Sequence, residues 1–194
     1  MKGVVAAGHP LTAEAGARVL REGGNAVDAA VAAVLMSWVA EPSLTGPGAG
    51  GFMLVHTPAA EDVLLDFFVA APGLGSDQEA GELKAFDVAF TDEVTQTFHA
   101  GPASCGVYGT LKGVADAVER FGSMSLADLT DFPAQLARRG LEILPIQGYL
   151  IKILSPILLS TAEGCSTFAP GGQLLRTGVA NDRPVETREA GPVD

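Results

Sequence analysis

From Ala26 to Ala40 almost every position is apolar and many are alanine, so the stretch predicts a helix with no wet face, packed closely on all sides. Gly23 and Gly24 stop a preceding helix, because glycine takes the left-handed backbone of a C-cap without a Cβ penalty. Asn25 restarts the chain as an N-cap, with Asp28 three residues on, where a carboxylate suits the positive end of the helix dipole. Glu41-Pro42 ends it. Residues 45–51, Thr-Gly-Pro-Gly-Ala-Gly-Gly, carry almost no side chains and predict a sharp bend whose backbone another group approaches closely. Phe52-Met53-Leu54-Val55 then reads as a buried strand.

Ahead of this stretch, residues 4–7 predict a short strand, and His9-Pro10 opens a helix that reaches about Glu22. Its small residues Ala13, Gly16 and Ala17 permit close packing, and Arg18 and Arg21 suit its C-terminal end. After the first strand, residues 57–62 read as a turn and 63–69 as the returning strand of a hairpin. Asp66 interrupts that apolar strand; it is either buried and hydrogen-bonded or paired, or a carboxylate at the surface or strand end.

Residues 73–95 are acidic and loop-rich, with strand-like alternation over 86–90, and 97–99 predict another short strand. Leu111, Val114, Ala115 and Val118 share one face of a helix over 110–121, which Gly122 closes. Ser125 caps the next helix with Asp128 at its third position; Pro133 is expected to break or kink it before residues 134–139, and Gly140 stops it. Ile146, Tyr149, Leu150, Ile153, Leu154 and Ile157 define one more amphipathic helix, kinked near Pro156. The polar residues 176–194 are expected to form a frayed tail.

Two phosphate-loop patterns fall on the glycines, and the order of elements argues against both. Gly46, Gly48 and Gly51 satisfy G-x-G-x-x-G, but that fingerprint works between a strand and a following helix, and here the order is helix, loop, strand. Gly46 and Gly51 have P-loop spacing, yet Phe52-Met53 stands where the phosphate-binding lysine and the magnesium-binding hydroxyl belong. The stretch reads as a structural turn.

Composition narrows the partners. The 194 residues suit one domain, with 47% hydrophobic residues for a core, and a net charge of −11 argues against nucleic acid and anionic membranes. The longest apolar run, residues 29–40, falls short of the roughly 20 residues of a membrane helix. The N-terminus lacks a signal-peptide core, and a cytoplasmic location is expected. Cys105 and Cys165 form no metal or redox motif and read as reduced structural thiols. His9, His56 and His99 lie in separate segments without ligand spacing, and there is no G-x-S-x-G elbow, so neither a metal nor a cofactor is expected.

His9-Pro10-Leu11, Glu14-Ala15-Gly16, residues 23–33 and Gly50-Gly51-Phe52-Met53-Leu54 together resemble the start of the gamma-glutamyltransferase large subunit. Gly109-Thr110, Phe132-Pro133-Ala134 and Leu136-Ala137-Arg138 with Gly140 extend the resemblance, with Tyr108 where that family usually has proline. It implies an α+β architecture: part of an N-terminal-nucleophile hydrolase (αββα sandwich) fold, with helices packed on a mainly antiparallel sheet. Residues 1–175 would be the large-subunit portion, and the activity transfer or hydrolysis of gamma-glutamyl or related acyl amides, glutathione-type substrates included. The threonine nucleophile would come from a small subunit or C-terminal half, because such a threonine is activated by its own free α-amino group. The family's motif of threonine, a second hydroxyl residue and histidine does not occur; Thr97-Phe98-His99 lacks the second hydroxyl. No catalytic residue is expected in these 194 residues, and the chain alone is expected to be inactive.

Asp66-Phe67-Phe68 followed by Ala71-Pro72 departs from the family's Asp-Phe-Arg. Phe68 stands where the resemblance places the arginine that grips the substrate's α-carboxylate, and a phenyl ring offers no donors in place of a guanidinium fork. Asp66 and Phe68 are therefore the candidate substrate-binding positions, with an amide lacking that carboxylate as the implied ligand. The competing expectation for Phe68 is a plain core residue. For the whole chain it is a truncated, non-catalytic binding module, whose bare apolar surface would drive self-association into a homo-oligomer.

Overall fold

The alanine-rich stretch folds as a helix because both of its ends are chemically specified. In the computed structural model, which describes residues 3–79 and 81–178, α1 spans Pro10–Arg21 and α2 spans Ala26–Ala40. The Asn25 side chain accepts from the N–H groups of Val27 and Asp28, and Asp28 Oδ2 accepts from Asn25 N at 2.8 Å, closing a capping box. His9 caps α1, its Nδ1 accepting from Leu11 N at 3.1 Å. Only Ala26 and Ala30 of α2 are exposed. The small residues of α1 are used as predicted: a Cβ on Gly16 would lie 2.8 Å from the Ala29 carbonyl oxygen, so the two helices approach backbone to backbone.

Two compact units result. Of the described residues the first holds 3–42 and 118–142, its core formed by Ala15, Met36 and Ala40 with Leu11, Val39, Phe132, Leu136 and Leu141 packed around them. The second holds residues 43–117 and 143–177. Within it β1 (Phe52–His56) and β2 (Asp62–Asp66) pair antiparallel with Leu54 opposite Leu64, as the predicted hairpin requires. A second antiparallel hairpin joins β3 (Lys84–Ala89) to β4 (Thr95–Ala100). The helix α3 (Thr110–Phe121) runs from the second unit into the first, and α4 (Leu126–Arg139) follows in the first. The second unit ends in α5 (Pro145–Ile153), α6 (Ser155–Leu158) and α7 (Ala162–Phe168), where Ile143, Ile151 and Leu175 make a second core with Leu158, Phe168 and Leu174.

Three local expectations are corrected, and one helix falls outside them. Residues 4–7 are not a strand: they have no ladder partner among the described residues, and Val5 packs instead against Gly16 of α1. Pro133 does not break α4, although it removes one backbone donor; it is buried with Leu129, and α4 packs along α2, so packing outweighs a single lost bond. The predicted kink near Pro156 is a break two residues earlier, at Leu154 (φ −87°, ψ 0°): Pro156 has no N–H to carry the α5 ladder on and sits instead in the first turn of α6, where none is needed. Thr161, whose side chain accepts from Gly164 N, starts a further helix, α7, that the apolar pattern does not reveal. Most of the expected polar tail, residues 179–194, lies outside the described residues.

Candidate functional site

Three segments of the second unit converge on residues 66–70. Gly51 N donates to Phe67 O at 3.3 Å and Phe67 N to Gly51 O at 3.1 Å, extending the hairpin ladder by one pair. Gly109 N and Thr110 N both donate to Ala49 O at 3.2 Å, tying the start of α3 to the glycine loop. Ala70 and Val107 exchange two backbone hydrogen bonds, of 3.1 and 2.8 Å.

Glycine makes this convergence possible. A Cβ on Gly50 would stand 2.5 Å from Val69 N, one on Gly109 2.4 Å from Phe67 O, and one on Gly113 2.1 Å from Phe67 Cγ. What approaches the glycine loop is therefore the chain's own segment at Phe67 to Val69, in keeping with the structural reading of the loop; Gly46 and Gly48 have no such neighbours. The clamp holds Phe67 half-buried against α3 and turns the next side chain outward.

Asp66 lies at the exposed end of β2, where its Oδ1 accepts from Phe68 N at 3.0 Å, a short local turn that fixes the backbone of its neighbour. The strand-end reading of Asp66 is the one the structure adopts. Phe68 is 58% exposed, so the described residues do not bury it in a core of their own. Its ring stacks on Phe52 with centroids 5.3 Å apart and planes 9° from parallel. The motifs do not single out Phe52 as a site residue, but hairpin register could have found it: it pairs with Asp66, so Phe68 is its diagonal neighbour. The corner thus offers an ordered aromatic platform and no cationic donor from Phe68.

The other candidates are apart from it. His56 pairs with Asp62 at 2.8 Å on exposed hairpin positions, and His99 lies on β4. Thr97 is mid-strand, its Oγ1 donating to Asp87 Oδ1 at 2.6 Å, and has no free α-amino group. Cys105 and Cys165 are free and exposed rather than part of a core. No group of three potential metal ligands occurs, and no helix is long and apolar enough to cross a membrane, among the described residues.

The order of the motifs is matched by a family profile, that of gamma-glutamyltranspeptidase, over residues 12–185. The chain belongs to the gamma-glutamyltranspeptidase family. It is similar to the glutathione hydrolase proenzyme of Bacillus subtilis (strain 168), with 35% identity over 179 residues, covering 91% of this chain and 29% of that protein. It is also similar to the acylase ACY 1 proenzyme of Pseudomonas sp. (strain V22), with 32% identity over 185 residues, covering 92% of this chain and 32% of that one. The crystal structure of Helicobacter pylori gamma-glutamyltranspeptidase shares its fold with a TM-score of 0.74 and 31% identity, over 93% of this chain and 50% of that chain. The fold is therefore α+β and a portion of the N-terminal-nucleophile hydrolase fold of the gamma-glutamyltranspeptidases. The chain spans about a third of the length of these curated relatives.

Proposed function

We propose that these residues are the large-subunit portion of a gamma-glutamyltranspeptidase-like amide hydrolase or transferase. The nucleophile comes from polypeptide corresponding to the remaining two-thirds of the relatives. Coverage carries this reading: nine-tenths of the chain is matched by proteins named as proenzymes, of which it accounts for 29 to 32%. The substrate is an acyl amide whose acyl part lacks an α-carboxylate. Supporting this, the exposed ring of Phe68, stacked on Phe52, occupies the position of the arginine in the resembling motif, and the relatives include an acylase as well as glutathione hydrolases.

The test uses gamma-glutamyl-p-nitroanilide and butyryl-p-nitroanilide. The purified 194-residue chain is expected to release no nitroaniline from either; turnover by it alone would sink the proposal. In complex with a small-subunit-containing partner, butyryl amide is expected to be preferred. Phe68→Arg is expected to shift the ratio of kcat/KM toward the gamma-glutamyl amide by about tenfold, about 1.4 kcal/mol, the scale of one hydrogen-bonded charge contact. An unchanged ratio would separate Phe68 from substrate choice.

A further inference from the structure

The rings of Phe52 and Phe68 lie nearly parallel, yet each is 58% exposed, so the stack orders aromatic surface without hiding it. Both rings stand on fixed backbone. Gly51 and Phe67 exchange two backbone hydrogen bonds, so the next pair, Phe52 and Asp66, is a non-hydrogen-bonded one whose side chains stand close together. Phe68 is set by the bond from its N–H to Asp66 Oδ1 and by Gly50, which closes on the backbone of Phe68 and Val69. The other ring pair of this unit, Phe90 and Phe98, meets at 46° with centroids 6.3 Å apart and makes no such parallel platform.

A ring inserted between Phe52 and Phe68 would need about 7 Å, two contact distances of ~3.5 Å, and the centroids are 5.3 Å apart. A third ring therefore stacks on the outside of the pair. The faces of both rings carry negative partial charge, and Asp66, directly across from Phe52, adds a full carboxylate. An anionic group is repelled from this corner. Leu54 and Leu64, on the same face of the hairpin and exposed, continue it as an apolar shelf. A flat, neutral, apolar group matches all of these neighbours. A cation would match the rings and Asp66 alone, and Asp66 Oδ1 already accepts from Phe68 N.

We propose that the Phe52–Phe68 stack is a subsite for an aromatic acyl group, so that the substrates are arylacyl amides such as phenylacetyl amides. Phe68 touches the ligand ring, and Phe52 is a positioning residue that holds the Phe68 ring flat from behind. This deepens the functional reading above and rests on it for the place of the subsite in an amide-processing enzyme.

The experiment titrates the 194-residue chain, labelled with carbon-13 in its phenylalanine rings, with phenylacetamide, cyclohexylacetamide, 4-aminobutyramide and glutaramate, and follows the ring signals by NMR. Phenylacetamide is expected to shift the Phe52 and Phe68 signals and to bind about tenfold tighter than the other three. Phe68→Leu is expected to weaken it at least tenfold and Phe52→Leu about threefold, with Phe52→Tyr restoring the wild-type value. Val94→Ala, an exposed apolar residue at the turn of the other hairpin, is expected to change nothing. Where circular dichroism shows a leucine variant to be unfolded, the order of the four amides on wild type decides. No ring shift with phenylacetamide, equal binding of cyclohexylacetamide, tighter binding of 4-aminobutyramide or of glutaramate, or a folded Phe68→Leu that binds as wild type does would each overturn the proposal. With the small-subunit-containing partner, the KM for phenylacetyl-p-nitroanilide is expected to be about tenfold below that for the butyryl anilide and to rise in Phe52→Leu at constant kcat. A complex that uses the butyryl anilide at least as well as the phenylacetyl one also overturns it. Ring binding by the chain without turnover of any anilide by the complex overturns the functional reading and leaves the subsite standing. Turnover of the butyryl or gamma-glutamyl anilide without ring binding does the reverse.

Discussion

Asp28→Ala is expected to lower the stability of the first unit by about 3 kcal/mol, measured by urea denaturation, more than any single cap on its helices. Asp28 is fully buried, and its carboxylate accepts from Asn25 N at 2.8 Å, from Ser123 N at 2.9 and 3.1 Å, from Ser123 Oγ at 2.6 Å and from Met124 N at 3.2 Å. Beside it Asn25 Nδ2 donates to Phe121 O at 2.7 Å. The start of α2 thus holds the turn between α3 and α4, some 95 residues away in sequence. Alanine removes the acceptor but leaves the donors behind, and an unmade bond to a buried donor costs more than a made one contributes.

The same carboxylate gives the stability a pH dependence. Burial pushes the Asp28 carboxyl up, but the Ser123 hydroxyl and the backbone N–H groups of Asn25, Ser123 and Met124 outweigh it and hold the group below its ordinary value. A lowered folded pKa means that the unfolded chain takes up the proton first as pH falls. Asp28's contribution is therefore full above the unfolded carboxylate value of about 3.9 and is lost as pH falls below it through the folded value. The gap in midpoint between wild type and Asp28→Ala should be constant from neutral pH to about pH 5 and narrow below pH 4. A gap that widened on acidification would reverse the assigned direction.

What is legible in the sequence follows from the range of the interactions. Asn25, Asp28 and the Glu41-Pro42 stop act within a turn of the helix they delimit, so α2 can be read to the residue. The hairpin of β1 and β2 is legible for the same reason, since a run of apolar positions, a turn and a return specify it locally. The other half of Asp28's work is not, because nothing near residue 28 names Ser123 and Met124 as its partners. Pro133 shows the converse: the local rule expects a break or kink, and α4 runs through it without a break, with Pro133 buried and α4 packed along α2. Phe68 is not buried in a core of the described residues, because hydrophobicity predicts burial only when the chain itself supplies the cover; here Asp66 and the glycine clamp fix its backbone, and the ring faces outward. The motif positions of the candidate site are thus readable, while Phe52's place in it needs the strand register.

Gly113→Ala is expected to destabilise the second unit by about 2 kcal/mol, opposite in sign to the usual result. In an exposed helix interior the same change is worth about 1 kcal/mol in favour of alanine, from the propensity scale alone. At position 113, within α3, the new Cβ would lie 2.1 Å from Phe67 Cγ, 2.2 Å from its Cδ1 and 2.6 Å from its Cβ. The ring root is not a free end that can swing away: Phe67 is held by two backbone bonds to Gly51, and Gly109 closes on its carbonyl. Overpacking should therefore exceed the propensity gain. Phe67→Ala removes the ring but keeps the Cβ at 2.6 Å, so the double variant should recover part of the loss, with a coupling of about 1 kcal/mol in a double-mutant cycle. Additive effects, or a stabilised Gly113→Ala, would mean that the glycines do not clamp Phe67. The orientation of Phe68 would then lose its physical cause. Retained stability loss with strong coupling would tie the glycine loop, the aromatic platform and the start of α3 into one mechanical unit, fixed before any partner or substrate arrives.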